Sequence, residues 1–558
     1  MVEAAPNRLT LCMITRNEED FLEKCLASTS GVVDEIIVVD TGSSDRTVEI
    51  AERHGAFVSF FPWNGDFSAA RNASLERATS DWILVLDADE ELVVEDRPGI
   101  KAFLAKSEAE GHLVQIRNYT GMSSQPEVEL SAAVRLFRNR WEYRFSGALH
   151  EQVGENILKA RSGSASGTVL TPAPLRINHF GYLSDLPKAR SKSQRNLDLA
   201  RLQVEANPEN GFILFNLGVE YHRLNRHQEA LECLEKAAKY MAAGAMWGSK
   251  LVKTTVISLM KLGRWDEAVV RIDEGLRVYP EYTDLVYLEG VAHHSARRYR
   301  QALGSFYQCL AMGPPPVPPY AAAEEGLAGH RAHYALGQCY EDMGRVAQAA
   351  RAYQVAFESS AGWLQPLYRL TALVLPREGP AAVRAYLERY FDLDRQGPLV
   401  TLADIFCVAA GHAVALEYLN RAVQIAPPTA QVRYLRGICL LRTGRYNLAA
   451  EEFLQVPEDS PYYRQSALGL CFSYWSEDRL SEARAVLDRI GADQATFLSL
   501  AAMFFEEAAI VLREGLKRFP ESELLRKALV DIGADQAGRL EAGPAAPPRT
   551  GSSYDSAH

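Results

Sequence analysis

The sequence contains no uninterrupted apolar run of the roughly 18 to 20 residues that a membrane span needs, and its start, MVEAAPNRLTLCMITRNEED, lacks the basic stretch and apolar core of a signal peptide. Both absences lead us to expect a protein that stays in the cytoplasm. The eight cysteines (Cys12, Cys25, Cys233, Cys309, Cys339, Cys407, Cys439 and Cys471) form no CxxC pair and show no zinc spacing. That excludes a disulfide frame and points to reduced core thiols. Positive charge is also short: 60 Lys and Arg against 71 Asp and Glu leave a net charge of −11. A broad basic surface for sequence-independent nucleic-acid binding is thereby excluded. What is present, 558 residues of which 47% are hydrophobic and 23% charged, suffices for roughly three to four domains and rules out disorder throughout.

Up to about residue 125, short apolar runs alternate with helical patterns. Leu9 to Ile14, Glu35 to Val39, Phe57 to Phe61 and Trp82 to Leu86 read as strands, with helix-like stretches near 18–29, 45–54 and 68–79 between them. This order predicts βαβ units and a mostly parallel sheet. Right-handed crossovers then align the C-terminal strand ends along one edge, where open α/β sheets bind ligands.

From about residue 196 the pattern is helical only. A small residue, an apolar or aromatic residue four positions on and a second small residue three further recur: Ala230, Leu234 and Ala237; Ala268, Ile272 and Gly275; Ala302, Phe306 and Cys309; Ala349, Tyr353 and Ala356; Ala415, Leu419 and Ala422. Partial copies follow at Ala449 and Phe453 and at Ala483 and Leu487, and a last one at Ala508, Leu512 and Gly515. The steps from Ala268 to Ala302, Ala415 to Ala449 and Ala449 to Ala483 are each 34 residues, the tetratricopeptide period. Small residues let paired helices approach, and the aromatic fills the gap to the next pair. Roughly eight or nine repeats fit, with a degenerate one near Ala382. A Pro-rich insert at 313–326 lengthens the step between Ala302 and Ala349 to 47 residues. The expected domains are therefore an α/β domain over 1–195, an all-α solenoid over 196–536 and a disordered tail over 537–558.

The chemistry-bearing residues follow the predicted strand ends. Asp87-Ala88-Asp89, then Glu90 and Glu91, come directly after Trp82 to Leu86. Two carboxylates flanking one residue at a strand end can reach one hard divalent cation and a sugar hydroxyl together, and such a cation neutralises a diphosphate leaving group. The plainer alternative is an acidic helix cap. Asp40-Thr41-Gly42-Ser43-Ser44-Asp45 follows the second strand, and Thr15-Arg16-Asn17-Glu18 the first. A carboxylate at Asp40 can accept hydrogen bonds from a base or ribose, and Gly42 permits a tight turn beside it. Asp45 or Ser44 reads as a helix N-cap.

With these three segments in order, residues 8–125 resemble the family 2 glycosyltransferases, whose nucleotide-sugar domain has the GT-A fold. The resemblance implies a nucleotide-sugar site lined by Thr15, Arg16, Asn17, Glu18, Asp40, Gly42, Arg71, Asp87 and Ala88. It also implies a divalent cation, Mn²⁺ or Mg²⁺, at Asp89 with Asp87 nearer the ribose and phosphate. The stretch from Phe61 to Asn72, with Asp66-Phe67-Ser68-Ala69-Ala70-Arg71-Asn72, is similar to a segment of members joined to tetratricopeptide repeats. There Arg71 would face base or diphosphate, or else make a surface ion pair, and Trp63 and Phe67 read as packing residues. Arg135 to Asn139 and Tyr143 to Val153 resemble the acceptor-side segment, which implies Glu151 as base with His150 second. Many members carry Glu-Asp where this chain has His-Glu. His179 would complete the metal shell, and an imidazole suits Mn²⁺ better than Mg²⁺. The Gln-x-x-Arg-Trp motif of processive synthases is absent.

The layout is similar to bacterial S-glycosyltransferases that modify bacteriocin peptides. The function this implies is metal-dependent, inverting transfer of a hexose or N-acetylhexosamine from a nucleotide sugar, UDP before dTDP or GDP. The expected acceptor is a peptide or protein selected by the repeats, which alternatively form a homo-oligomer. Two competing readings are a non-catalytic scaffold and a transferase for saccharide acceptors.

Overall fold

The computed structural model describes residues 7–121, 127–149, 151–161, 169–183, 189–242, 245, 247–316, 322–360, 362–503 and 508–530. The expected tail over 537–558 lies outside them. The chain divides into two compact units, 1–363 and 364–558. No helix among the described residues is long and apolar enough to cross a membrane.

The expected strands form where the apolar runs placed them: β1 (Leu9–Thr15), β2 (Glu35–Asp40), β3 (Phe57–Phe60) and β4 (Trp82–Val85). They alternate with α1 (Leu22–Thr29), α2 (Thr47–Arg53) and α3 (Phe67–Leu75). Pairings β1 with β2, β1 with β4 and β2 with β3 are all parallel. Such strands are covered on both faces, which explains their continuous apolar runs. Leu9, Leu11, Met13, Val38, Trp82 and Leu84 are buried in one core cluster, and Cys12, Ile37, Ile83 and Val85 in another.

Beyond β4 the sheet departs from the mostly parallel expectation. It continues through β5 (Glu90–Leu92), α4 (Ile100–Lys106), β6 (Gly111–Gly121), β7 (Glu127–Arg138), α5 (Gly154–Arg161) and β8 (Leu170–Leu183). The strand order is β3-β2-β1-β4-β7-β6-β8-β5, and β7 joins β4 antiparallel. The sheet is mixed because β6 and β7 are joined by a short connection that suits only an antiparallel neighbour.

The ninth strand comes from the repeats. The Pro-rich insert supplies β9 (Ala322–Glu324), which pairs antiparallel with β7 at Glu129, Leu130 and Ser131. Beside it the buried Lys253 ammonium bonds Asp284 and Glu324, each at 2.8 Å. Burial works against charge on Lys253, but Glu324 and Asp284 hold its pKa well above the ordinary value. The first repeats therefore share with the sheet a compact unit that runs to residue 363. Residue 195 itself lies inside one helix, α6 (Ala189–Ala206).

Nine helix pairs follow α6 among the described residues, from 211–239 to 494–518. The recurring small residues Ala230, Ala268, Ala302, Ala349, Ala415, Ala449 and Ala483 are all completely buried. The aromatic of the second helix packs first on a glycine of its own repeat, so a Cβ at Gly337 would stand 2.5 Å from Tyr353 Cε1. Phe453 also meets Gly469 of the following repeat, as expected of a gap-filling side chain. The degenerate repeat near Ala382 has an abbreviated second helix, Pro380–Leu387.

Candidate active site at the strand ends

The turns after β1 and β2 are stitched together. Asn17, in the left-handed conformation at φ 56°, accepts from the Ser44 backbone amide at 2.7 Å, while its own amide donates to Ser43 Oγ at 2.9 Å. Asp40 is buried and accepts from the amides of Gly42 and Ser43, both at 2.9 Å, and from Ser43 Oγ at 2.5 Å. Thr15 Oγ1 lies 3.5 Å from the same carboxylate. Gly42 takes φ 111°, a conformation that disfavours any side chain. Asp45 accepts from Thr47 N at 3.0 Å and Glu19 N at 3.2 Å, which makes it a local bracket for the start of α2. The Glu18 amide donates to Thr47 Oγ1 at 2.8 Å. Arg16 is exposed, and its charge faces that of Arg195 on α6 closely enough to lower the Arg195 pKa, after burial as the main cause.

Asp87 and Asp89 leave the end of β4 with Ala88 buried in the core between them. Arg71, in the second turn of α3, is held by the Asp66 cap that starts this helix by accepting from Ala69 N. Its guanidinium pairs with Asp87 at 2.5 Å and, through Nε, with Glu151. Arg135 on β7 reaches Asp87 at 3.2 Å and the completely buried Glu90 at 2.8 Å. Burial opposes ionisation of Asp87, yet Arg71 first and Arg135 next hold its carboxyl far below the usual range. Burial raises Glu90 despite Arg135. Burial likewise opposes the charge on Arg71, and Asp87 and Glu151 more than offset it. Arg71 Nη1 and Arg135 Nε remain buried without hydrogen-bond partners. Unsatisfied guanidinium donors of this kind suit an anion.

His179 reaches this edge through sheet pairing, because β5 follows Asp89 directly and pairs antiparallel with β8, Glu90 opposite His179. His179 Nε2 stands 3.5 Å from Asp89 Oδ1. Its Nδ1 lies 2.8 Å from Asn118 Oδ1, and the Asn118 amide nitrogen donates to Glu129 O and Ser131 Oγ. That amide orientation assigns a proton to Nδ1 and leaves Nε2 facing the Asp89 carboxylate, the arrangement of a metal-ligating histidine with its outer partner. A Cβ on Gly181 would overlap Asp89 Oδ2. The carboxylate and imidazole donors thus fit a divalent cation.

The structure brings Asp87, Asp89, Arg71, Glu151 and His179 to one edge. Thr15, Asn17, Glu18, Asp40 and Gly42 form the adjoining turns, and His150 lies outside the described residues. Trp63 and Phe67 pack edge to face at 4.7 Å, as expected of packing residues. The sequence set Arg135 in the acceptor-side segment and Glu90 behind the acidic motif without a partner for either, and it gave no role to Asn118 or Gly181. Only Gly181 carried a local signal, since a glycine inside a strand marks close approach.

Residues 10–166 match the family described as glycosyl transferase family 2, which covers Arg71, both acids of the Asp87-Ala88-Asp89 motif and Glu151 but stops short of His179. Tetratricopeptide repeat families match residues 211–241, 254–315, 331–359 and 401–464. A TPR repeat-containing protein of Synechococcus elongatus is 40% identical over 216 residues, 38% of this chain and 52% of its own. The SPbeta prophage-derived glycosyltransferase SunS of Bacillus subtilis is 31% identical over 237 residues, 41% of this chain and 53% of its own. An uncharacterized glycosyltransferase of Rickettsia bellii is 36% identical over 113 residues, 20% of this chain and 38% of its own. The chain spans about half the length of the first two relatives.

Proposed function

We infer, from a chain that joins a family 2 glycosyltransferase domain to tetratricopeptide repeats, that the protein transfers a hexose or N-acetylhexosamine from a nucleotide sugar, UDP-linked before dTDP or GDP, to a peptide or protein. The observation that carries this reading is the convergence of Asp89 and His179 beside Asp87, with spare guanidinium donors on Arg71 and Arg135. A divalent cation held by Asp89 and His179 supplies charge neutralisation to the diphosphate. Arg71 and Arg135 keep Asp87 ionised and offer donors to the same anion. Glu151, oriented through Oε1 by Arg71, accepts the proton of the acceptor hydroxyl or thiol at Oε2. The acceptor atom forms its bond to C1 as the bond from C1 to the diphosphate oxygen breaks on the opposite face, which inverts the anomeric centre.

The polypeptide acceptor rests on the sharing of one unit by repeats and sheet. Strand β7 carries Arg135 near one end and pairs with β9 of the repeat segment near the other. A repeat surface suits an extended chain.

The test incubates the full chain with UDP-, GDP- and dTDP-sugars and Mn²⁺, with and without peptide acceptors, and reads donor hydrolysis and acceptor mass. Turnover with at least one donor that falls by about a hundredfold or more in Asp89→Ala supports the reading. Absence of turnover with every donor, while the protein stays folded, overturns it in favour of the scaffold.

A further inference from the structure

Two thiols and an imidazole meet in the second unit, in residues that no 34-residue pattern singles out. Cys407 lies in the last turn of helix Gln396–Val408, His412 opens helix His412–Ile425, and Cys439 lies in the last turn of helix Ala430–Arg442. Their donor atoms all fall within 4.8 Å of one another. The two sulfurs stand 3.0 Å apart as free thiols.

The turn between the first two helices creates the convergence. Ala410 adopts φ 60°, a left-handed conformation that costs a residue bearing a Cβ. The Gly411 amide then donates to Phe406 O at 2.7 Å. A Cβ on Gly411 would stand 2.9 Å from Leu375 Cδ2 and 3.0 Å from Phe406 Cδ1, so the turn closes tightly enough to bring residue 412 back beside 407. The imidazole of His412 hydrogen-bonds the Cys407 thiol, and its Nδ1 is buried with no hydrogen-bond partner. A buried polar nitrogen left this way is unfavourable unless a further group engages it.

We propose that Cys407, His412 and Cys439 form a binding site for a thiophilic metal ion of the zinc class, separate from the strand-end site of the first unit. Two thiolates and an imidazole suit Zn²⁺ and are poor ligands for Mg²⁺ or Ca²⁺. Uptake of Zn²⁺ by the two thiols forms two Zn–S bonds and one Zn–N bond and releases two protons to solvent. With Zn–S bonds of about 2.3 Å and tetrahedral angles the sulfurs part to about 3.8 Å, a side-chain adjustment from the 3.0 Å observed. Cys407 and His412 are half-buried while Cys439 is buried, and three protein donors leave the fourth position of a tetrahedral ion to water. The bound ion ties the turn between one helix pair to the first helix of the next.

The test titrates the reduced, metal-stripped full chain with Co²⁺ and then Zn²⁺. About one equivalent of Co²⁺ is expected to produce a thiolate-to-cobalt charge-transfer absorption that Zn²⁺ abolishes. The donors at the strand-end site are oxygen and nitrogen, so this band reports the repeat site alone and should persist in Asp89→Ala. Cys407→Ser and Cys439→Ser should each lose the band, His412→Ala should weaken Zn²⁺ binding about tenfold or more, and Cys233→Ser should change nothing. Cys407→Ser, at a half-buried position, remains informative if Cys439→Ser fails to fold. No band in the reduced wild-type chain, or a band that survives Cys407→Ser, overturns the proposal. So does a pair that only oxidises to a disulfide and takes up no metal once reduced.

Discussion

In the sheet, the buried Glu90 and Arg71 crowd together with the half-buried Asp87 and Arg135, each acid matched by a guanidinium. In the repeats the interior is built from Ala230, Ala268, Ala302, Ala349 and their partners, with aromatic rings laid on glycines. The difference lies in what each region must do with its interior. Stacked helix pairs need close approach and nothing else, and a small residue every turn or two supplies it. A strand-end site needs charge where water is scarce, and that charge is tolerable only when it is paired. The described repeats bury paired charge too, at Glu220 with Arg223 and at Lys253 with Asp284 and Glu324, the latter where the insert strand meets the sheet.

The largest blow to this contrast should come from removing a shared cation. Arg71→Met leaves Asp87 and Glu151 without their common partner, and we expect a loss of about 3–5 kcal/mol in the first unit by urea unfolding. If the variant is as stable as the wild type, the pairing rule assigned to the sheet is wrong.

A smaller effect tests the repeat side. Gly337→Ala forces Tyr353 or its helix to move, at an expected cost of about 1–3 kcal/mol, measured by the same unfolding. A neutral result would mean that the Gly-on-ring contact is slack.

The smallest expected effect is with pH, where both regions share a sign. His112, buried between Ser107 and Thr171 and stacked on Trp82, is pushed down to about 4, chiefly by burial. His222 of the first repeat, bonded to Ser258, is likewise pushed down to about 4 by burial. A folded-state value below the unfolded one means that the unfolded chain takes up the proton first. Stability is then complete above about pH 6.5 and is lost as pH falls toward 4, with about 1 kcal/mol per histidine gone by pH 5.5. His112→Gln and His222→Gln should each flatten the fall in Tm between pH 7.5 and 5.5. If neither does, burial is not what holds the two rings neutral.

Much of the local architecture was legible from the chain. The apolar runs of β1 to β4 and the Ala-x-x-x-aromatic spacing of the repeats are periodic signals set by neighbouring residues. Asp87 and Asp89 were readable because a strand must end beside them. Arg135, Asn118 and Glu90 were not, because each matters only through a partner 45 or 61 residues away or through complete burial. The Pro-rich insert read as an irregular step in the repeat, whereas its alanines form the strand that joins two folds.

Sequence by itself determined where β1 to β4 and the repeat helices form, roughly how often the repeat recurs and which acids follow the fourth strand, since these depend on side-chain periodicity and turn chemistry over a few residues. Tertiary structure alone decided that His179 faces Asp89, that Arg71 links Asp87 to Glu151, that the early repeats belong with the sheet, and that Cys407, His412 and Cys439 meet. Those outcomes depend on strand order, register and helix stacking, which bring together residues distant in the chain and which local spacing does not encode.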